Sequence, residues 1–325
     1  MKAVIVTNPG GPEQLQMMEQ PKPTINKGEL LIEVKACAIN RTDIMTRKQG
    51  SSYMTNPILG VEVAGVVVDA GAACDVEVGT RVMGLVNGGG YAEYAVMPAD
   101  RAMVIPDTLS FQEAAAIPEV FLTAYQTLFW LGNVTDQDTV LIHAGGSGVG
   151  TAAIQLTKQL SHAKIITTAG SQEKLDFCRS LGSDIDINYK ERQFDEEVLA
   201  ATNQAGADVI LDFIGASYWE KNMNSIAVDG RWVLIGVLGG STVDKVDLMS
   251  LMAKRIHLKA TLLTPRSDAY KRQLAEEFTE KALPLFAQRK LKAIVDRTFS
   301  LTTIQDAHRY MEANKNIGKI VIDLT

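Results

Sequence analysis

The chain of 325 residues has only three cysteines, Cys37, Cys74 and Cys178, and they stand far apart. That excludes a disulfide framework and a four-thiolate zinc lobe, and leaves the three to be read as core thiols. Histidine is equally sparse, with four. His143 ends an apolar run, His162 ends a helical segment, and His257 and His308 have no cysteine nearby, so no three-ligand set for a catalytic zinc can be drawn. No Ser-His-Asp or Cys-His pattern supports nucleophilic catalysis. Positive charge is not in excess either: 32 Lys plus Arg against 38 Asp plus Glu give a formal net charge of −6. This excludes a broadly basic binder of nucleic acid or anionic lipid. No apolar run is long enough to span a bilayer. The opening Met1-Lys2-Ala3-Val4-Ile5-Val6-Thr7 meets Pro9-Gly10-Gly11 without a small-residue cleavage site. Neither a signal peptide nor a membrane span is expected, and the expected location is cytoplasmic. Internal repeats and low-complexity tracts are lacking too.

What is present is an ordinary globular balance, 46% hydrophobic and 22% charged, enough apolar material for two moderate cores. Up to about residue 120, short strand-like runs at 30–36, 61–69, 80–85 and 91–96 are broken by Pro9-Gly10, Asn87-Gly88-Gly89-Gly90 and Ile105-Pro106-Asp107. From Thr123 onward apolar runs at 139–142, 164–167, 184–187, 209–212, 232–235 and 256–259 alternate with helical segments such as 149–160 and 172–181. The fold class expected is α/β, a doubly wound parallel sheet covered on both faces beside a mostly β domain. After Pro265 come a charged helical stretch at 267–286, a strand at 293–299 and a last helix and strand. That tail is too short for a domain of its own and completes the first one. The expected boundaries are 1–122, 123–265 and 266–325.

The run Ala144-Gly145-Gly146-Ser147-Gly148-Val149-Gly150 joins a strand to a helix rich in Ala, Ile and Leu. Counted from Gly145 it is G-x-x-G-x-G, not G-x-G-x-x-G. Small residues at such a junction let a pyrophosphate approach backbone N–H groups at a helix N-terminus, so a Rossmann-type dinucleotide site is expected here. NAD-selective sites place a carboxylate at the end of the next strand, but this chain has Thr167-Thr168-Ala169-Gly170-Ser171. Ser171 reads as the N-cap of the following helix. Lys174 lies in the first turn of that helix, where a cation opposes the macrodipole and a bound phosphate would reverse the sign. Lys174 with Ser171 is therefore expected to receive the adenosine 2′-phosphate of NADPH, the alternative being a solvated surface lysine beside a helix cap. Tyr189 either packs beside that group or is an ordinary half-buried aromatic at a strand end. The glycine turns Phe213-Ile214-Gly215-Ala216-Ser217 and Gly236-Val237-Leu238-Gly239-Gly240 either approach the nicotinamide half or are plain turns. With a nicotinamide carrying the hydride, the protein needs only to position an acceptor, and a quinone suits such a site.

Long, dispersed matches then point to a family. They are Asn8-Pro9-Gly10-Gly11-Pro12-Glu13, Ala38-Ile39-Asn40-Arg41-Thr42-Asp43, Ala114-Ala115-Ala116-Ile117-Pro118-Glu119, residues 143–155, Ser217-Tyr218-Trp219-Glu220-Lys221-Asn222 and residues 310–320. From end to end the chain resembles the zinc-free medium-chain dehydrogenase/reductases, specifically the zeta-crystallin-like quinone oxidoreductases. The resemblance implies NADPH-dependent quinone reduction, a GroES-like catalytic domain split between both chain ends, a central Rossmann domain and a homodimer joined through the edges of the Rossmann sheets. In zinc-containing relatives a Cys stands at the position of Asn40 and a His-Glu pair at Val61-Glu62. The resemblance further implies that Asn40 and Tyr53 line the cleft near nicotinamide and substrate and that Thr123 faces the cofactor. It puts Ser147, Gly148, Val149, Gly150 and Thr151 on the pyrophosphate and Ser171, Lys174 and Tyr189 on the adenosine phosphate. Ser217, Leu238, Gly239 and Gly240 fall near the nicotinamide, and Asn316 on the cofactor. Around Tyr53 the segment Gly50-Ser51-Ser52-Tyr53-Met54-Thr55-Asn56 departs from the glutamine- and proline-rich pattern of the family. The alternatives are an enoyl thioester reductase with Tyr53 as proton donor, or a non-catalytic NADPH-binding protein. Basic pairs such as Lys254-Arg255 are scattered among acids and carry no RNA-reading motif.

Overall fold

The computed structural model describes residues 1–50 and 56–325, so Tyr53 lies outside the described residues. The chain divides into two compact units, Met1–Leu122 with Leu263–Thr325, and Thr123–Leu262.

In the first unit β1 (Lys2–Val6) and β2 (Leu15–Glu19) form an antiparallel pair. They precede β3 (Glu29–Ala38), the helix α1 (Arg41–Gln49), β4 (Glu62–Ala70), β5 (Arg81–Leu85), β6 (Tyr94–Pro98) and β7 (Met103–Val104). Two helices follow, α2 (Phe111–Ala115) and α3 (Pro118–Tyr125). Alternation along β3 buries Leu30, Ile32 and Val34 in one core with Val63, Val67 and Val82. Tyr91 and Ala92, expected to open a strand, instead meet β1: the Val4 N–H donates to the Tyr91 carbonyl at 2.8 Å. β6 therefore starts only at Tyr94.

The second unit runs β8 (Thr139–Ile142), α4 (Gly148–Leu156), β9 (Lys164–Ala169), α5 (Gln172–Leu181), β10 (Ile185–Asn188) and α6 (Phe194–Ala201), then β11 (Ala207–Asp212), α7 (Trp219–Ser225), β12 (Ile226–Leu234), α8 (Leu248–Lys254) and β13 (His257–Ala260). The sheet order is β10-β9-β8-β11-β12-β13, parallel throughout. Winding reverses between β8 and β11, which makes the carboxyl ends of these two strands the place where an open α/β sheet receives a ligand. Leu141, Ile166, Ile187, Ile210 and Trp232 of the sheet form one core with Phe194 and Val198 of α6.

The chain then returns to the first unit with α9 (Asp268–Lys281), α10 (Leu283–Ala287), β14 (Val295–Ser300), α11 (Ile304–Glu312) and β15 (Lys319–Asp323). The long charged helix expected at 267–286 is two helices, because Pro284 lacks the N–H a continuous helix needs. β15 pairs antiparallel with β3 and parallel with β14 at one edge of the first sheet. Cys37 and Cys178 are buried, and Cys74 is half-buried, packed against the margin of the first unit's core. No helix among the described residues is long and apolar enough to cross a membrane.

Candidate functional site

At the switch point, Ser147 caps α4 and its Oγ accepts from the Gly150 N–H at 3.0 Å. Side chains are excluded from this turn by contact. A Cβ on Gly150 would stand 2.4 Å from the Ala144 carbonyl oxygen, and one on Gly145 would stand 2.8 Å from Cys178 Sγ. A Cβ on Gly146 would press on the Lys174 stem at 3.1 Å. The result is a bare backbone crest at the positive end of a nine-residue helix, a cradle suited to a pyrophosphate. Thr151 spends its hydroxyl inside the helix, donating to the Gly148 carbonyl at 2.9 Å.

Lys174 thus reaches over the glycine turn from the first turn of α5. Ser171 caps α5, its Oγ accepting from the Lys174 N–H at 3.4 Å. Gly170 follows the last residue of β9, and a Cβ there would strike the Tyr189 hydroxyl at 2.6 Å and Lys190 Cε at 3.1 Å. Ser171, Lys174, Tyr189 and Lys190 therefore converge beside the Gly146 turn. Lys190 was missed in the sequence, where it is one more exposed lysine after a strand; only the β9–β10 pairing carries it there.

The other side of the switch point is tied down by Asp212, the last residue of β11. Its Oδ1 accepts from the Ile214 and Gly215 N–H groups at 2.7 and 3.0 Å, and its Oδ2 from Asn222 Nδ2 and Trp232 Nε1, both at 3.1 Å. Asn222 in turn accepts from His143 Nε2 at 2.7 Å, while His143 Nδ1 bonds Thr168 Oγ1 at 2.9 Å. Burial lowers the His143 pKa, so this histidine is a neutral strut and not a ligand. The two glycine turns zip together, Gly239 N–H to Ile214 O at 2.7 Å and Ala216 N–H to Gly240 O at 2.9 Å. A Cβ on Gly239 would clash with Ser217 Oγ, so Ser217, Leu238, Gly239 and Gly240 form one surface. Thr123 is buried and its Oγ1 has no hydrogen-bond partner among the described residues, leaving a hydroxyl that a ligand could satisfy.

In the first unit Asn40 joins a buried ionic cluster. Its Nδ2 donates to Glu62 Oε1 at 2.8 Å and its Oδ1 accepts from Lys319 Nζ at 2.6 Å. Lys319 also donates to the Ile39 carbonyl and pairs with Glu62 Oε1, each at 2.8 Å. The Glu119 N–H donates to the remaining Glu62 oxygen at 2.8 Å. Asp43 accepts from the N–H groups of Asn40 at 2.8 Å and Gly60 at 3.1 Å. Burial outweighs these bonds and pushes its carboxyl up to about 6. Asn316 belongs to this unit, and its Nδ2 donates to the Gly318 carbonyl at 2.7 Å within its own turn.

A directed chain supports Asp43. An arginine only donates, so Arg47 Nη1, 3.0 Å from His308 Nδ1, fixes the tautomer with the proton on Nε2. Nε2 then donates to the Tyr91 hydroxyl at 3.2 Å, and Tyr91 donates to Asp43. Burial, and then Arg47, hold the His308 pKa down at about 3.

Zinc does not fit this cluster. The Lys319 ammonium already stands between Asn40 and Glu62, and a second cation at that distance is repelled. Among the described residues no group of three or more His, Cys, Asp or Glu could hold a metal ion.

A GroES-like domain with a Rossmann-like parallel sheet is the architecture of alcohol-dehydrogenase-type oxidoreductases, and the comparisons agree. Residues 26–107 match the family profile described as alcohol dehydrogenase GroES-like domain, and residues 148–282 the one described as zinc-binding dehydrogenase. The chain belongs to the medium-chain dehydrogenase/reductase family. The synaptic vesicle membrane protein VAT-1 homolog-like of Mus musculus is 30% identical over 346 residues, spanning 100% of this chain and 81% of that protein. Among solved structures, Escherichia coli quinone oxidoreductase complexed with NADPH is 28% identical with a TM-score of 0.91, covering 99% of this chain and 100% of that one. An NAD-dependent alcohol dehydrogenase is 30% identical with a TM-score of 0.90, each chain covered in full at 100%. The CurK enoyl reductase is 29% identical with a TM-score of 0.87, covering 99% of this chain and 98% of that one.

Proposed function

We propose that the protein is an NADPH-dependent quinone oxidoreductase of the zeta-crystallin-like branch, akin to the tumour-suppressor-inducible quinone oxidoreductase, acting in the cytoplasm without zinc. The observation that carries the cofactor choice is the end of β9, where Lys174, Lys190, Tyr189 and Ser171 meet and the two residues after Ala169 are Gly170 and Ser171, with no carboxylate. Two lysines beside a helix N-terminus favour a phosphate monoester over the bare ribose hydroxyls of NADH. Bound NADPH supplies a hydride from its nicotinamide ring. In this reading the Gly145–Gly150 crest takes the pyrophosphate, and Thr123, Ser217, Leu238, Gly239 and Gly240 line the nicotinamide end. Asn40 and Tyr53 meet the quinone, Asn316 meets the cofactor, and the Asp212 network holds the turns that line the site.

The test is loss of nicotinamide absorbance with NADPH and, separately, NADH, with an aromatic ortho-quinone as acceptor and an enoyl-CoA in parallel. Quinone turnover with NADPH preference is expected. Faster enoyl-CoA turnover would favour the second reading, an enoyl thioester reductase, which the likeness to the CurK enoyl reductase supports. Binding of NADPH without turnover of either acceptor would leave a non-catalytic cofactor-binding protein.

The same reading includes a homodimer. β13 ends the parallel sheet with all four residues exposed, and Leu248, Met249 and Met252 of α8 are each more than 60% exposed beside it. An unpaired apolar strand edge is the usual site of pairing with another chain, here a second copy.

A further inference from the structure

We propose that Glu119 is the acid that protonates the reduced substrate, from the accessible rim of a buried carboxylate pair. The inference rests on the quinone reading above and assigns that reaction its proton. Glu119 lies in the first turn of α3, and its own N–H binds Glu62, which brings the two carboxylates to one locus. They are not equivalent. Glu62 is fully buried, and Asn40 Nδ2, Lys319 Nζ and the Glu119 N–H all donate to it. Glu119 is half-buried, so it is the member of the pair that can meet both a ligand and water.

The groups facing Glu119 decide its protonation. Glu62 on β4 and Asp43 on α1 disfavour a second negative charge, whereas Lys319 on β15 and Lys271 on α9 favour it. Lys319 is already committed to Glu62 and Asn40, and Lys271 is itself buried, with desolvation weakening its charge. Burial, followed by the Glu62 carboxylate, pushes the Glu119 carboxyl up to about 8, so at neutral pH it carries a proton. One helical turn along, at the i+4 position of α3, is Thr123 with its unpartnered buried hydroxyl. A carboxylic acid poised near the working pH, next to a hydroxyl open to a ligand, is the arrangement that general acid catalysis requires.

The step balances. Hydride addition converts the quinone to a hydroquinone monoanion. The Glu119 O–H bond breaks, its proton forms the second hydroquinone O–H, and its electron pair stays on the carboxylate. Water then returns a proton to Glu119.

Infrared difference spectroscopy of the protein without cofactor tests the protonation state directly. The C=O stretch of a protonated carboxylic acid should fade with a midpoint near pH 8 and be missing from Glu119→Gln. With NADPH and an ortho-quinone, Glu119→Gln should lose about 100-fold in kcat and lose the alkaline limb of the kcat profile. Glu119→Asp, which keeps an acid, should keep a titrating band and recover part of the rate, so a folding failure of one variant does not hide the answer. A band fading near pH 8 that persists in Glu119→Gln, as distinct from the Asp43 band near pH 6, or an unchanged pH profile, overturns the proposal. A wild type that turns over no quinone overturns the function and the catalytic half of the proposal, whereas brisk turnover with no titrating band overturns Glu119 alone.

Discussion

Lys319 Nζ stands 2.6 Å from Asn40 Oδ1 and 2.8 Å from Glu62 Oε1, so an ammonium from the last strand fixes the amide of the residue that precedes α1. The bonds set the amide's rotamer, with oxygen toward the cation and Nδ2 toward the carboxylate. Lys319→Met should leave Glu62 charged, buried and without its cation. A loss of about 3–5 kcal/mol is expected in denaturant unfolding. The double variant Lys319→Met with Glu62→Gln should cost less than Lys319→Met alone, and an equal or larger cost would argue against the pair.

Lys174→Ala should raise KM for NADPH about tenfold or more, the usual cost of a lost charge-assisted contact, with little change for NADH. Lys190→Ala should shift it the same way. Equal effects on both cofactors would remove the phosphate assignment.

Gly150→Ala should weaken NADPH binding and lower the unfolding temperature, because the added methyl stands 2.4 Å from a backbone oxygen that cannot yield cheaply. Overpacking of this kind costs about 1–3 kcal/mol. Fluorescence titration of the cofactor and a thermal melt read the two effects separately.

His308 should make the protein acid-sensitive. Its folded pKa of about 3 lies below its ordinary 6.5, so between those values the unfolded chain binds a proton that the folded chain refuses. Its contribution is fully present above pH 6.5 and is lost as pH falls toward 3, with a slope of at most about 1.4 kcal/mol per pH unit. His308→Gln should flatten that limb of unfolding free energy against pH. Glu119 has the opposite sign: its folded pKa near 8 exceeds the ordinary 4.5, so the protein loses stability as pH rises between them, and Glu119→Gln should remove that loss.

Placing a charge on the open edge should prevent self-association. Leu258→Asp with Met252→Asp is expected to sediment as a monomer where the wild type sediments as a dimer, with cofactor binding retained. A monomeric wild type would end the edge-pairing proposal.

Local chemistry was legible in the sequence because it depends on neighbours along the chain. Alternating apolar runs, the Ala144 to Gly150 turn and the Ser171 cap follow from side-chain period, glycine's lack of a Cβ and short-range hydrogen bonding. The α/β class and the parallel sheet followed from these signals. The late start of β6 and the partial exposure of Cys74 did not, since each depends on what another part of the chain does nearby, whereas the break at Pro284 is local and could have been read from the proline itself.

The tertiary structure alone decided which distant groups share a charge. Nothing along the chain links Lys319, Glu62 and Glu119; β15 beside β3, and β3 beside β4, bring them into one cluster. His308, Tyr91 and Arg47 likewise come from α11, a loop and α1. A sequence specifies periodicity and turns through contacts a few residues apart. Protonation states depend on burial and on charges brought together across more than two hundred positions, and those distances exist only once the chain has folded.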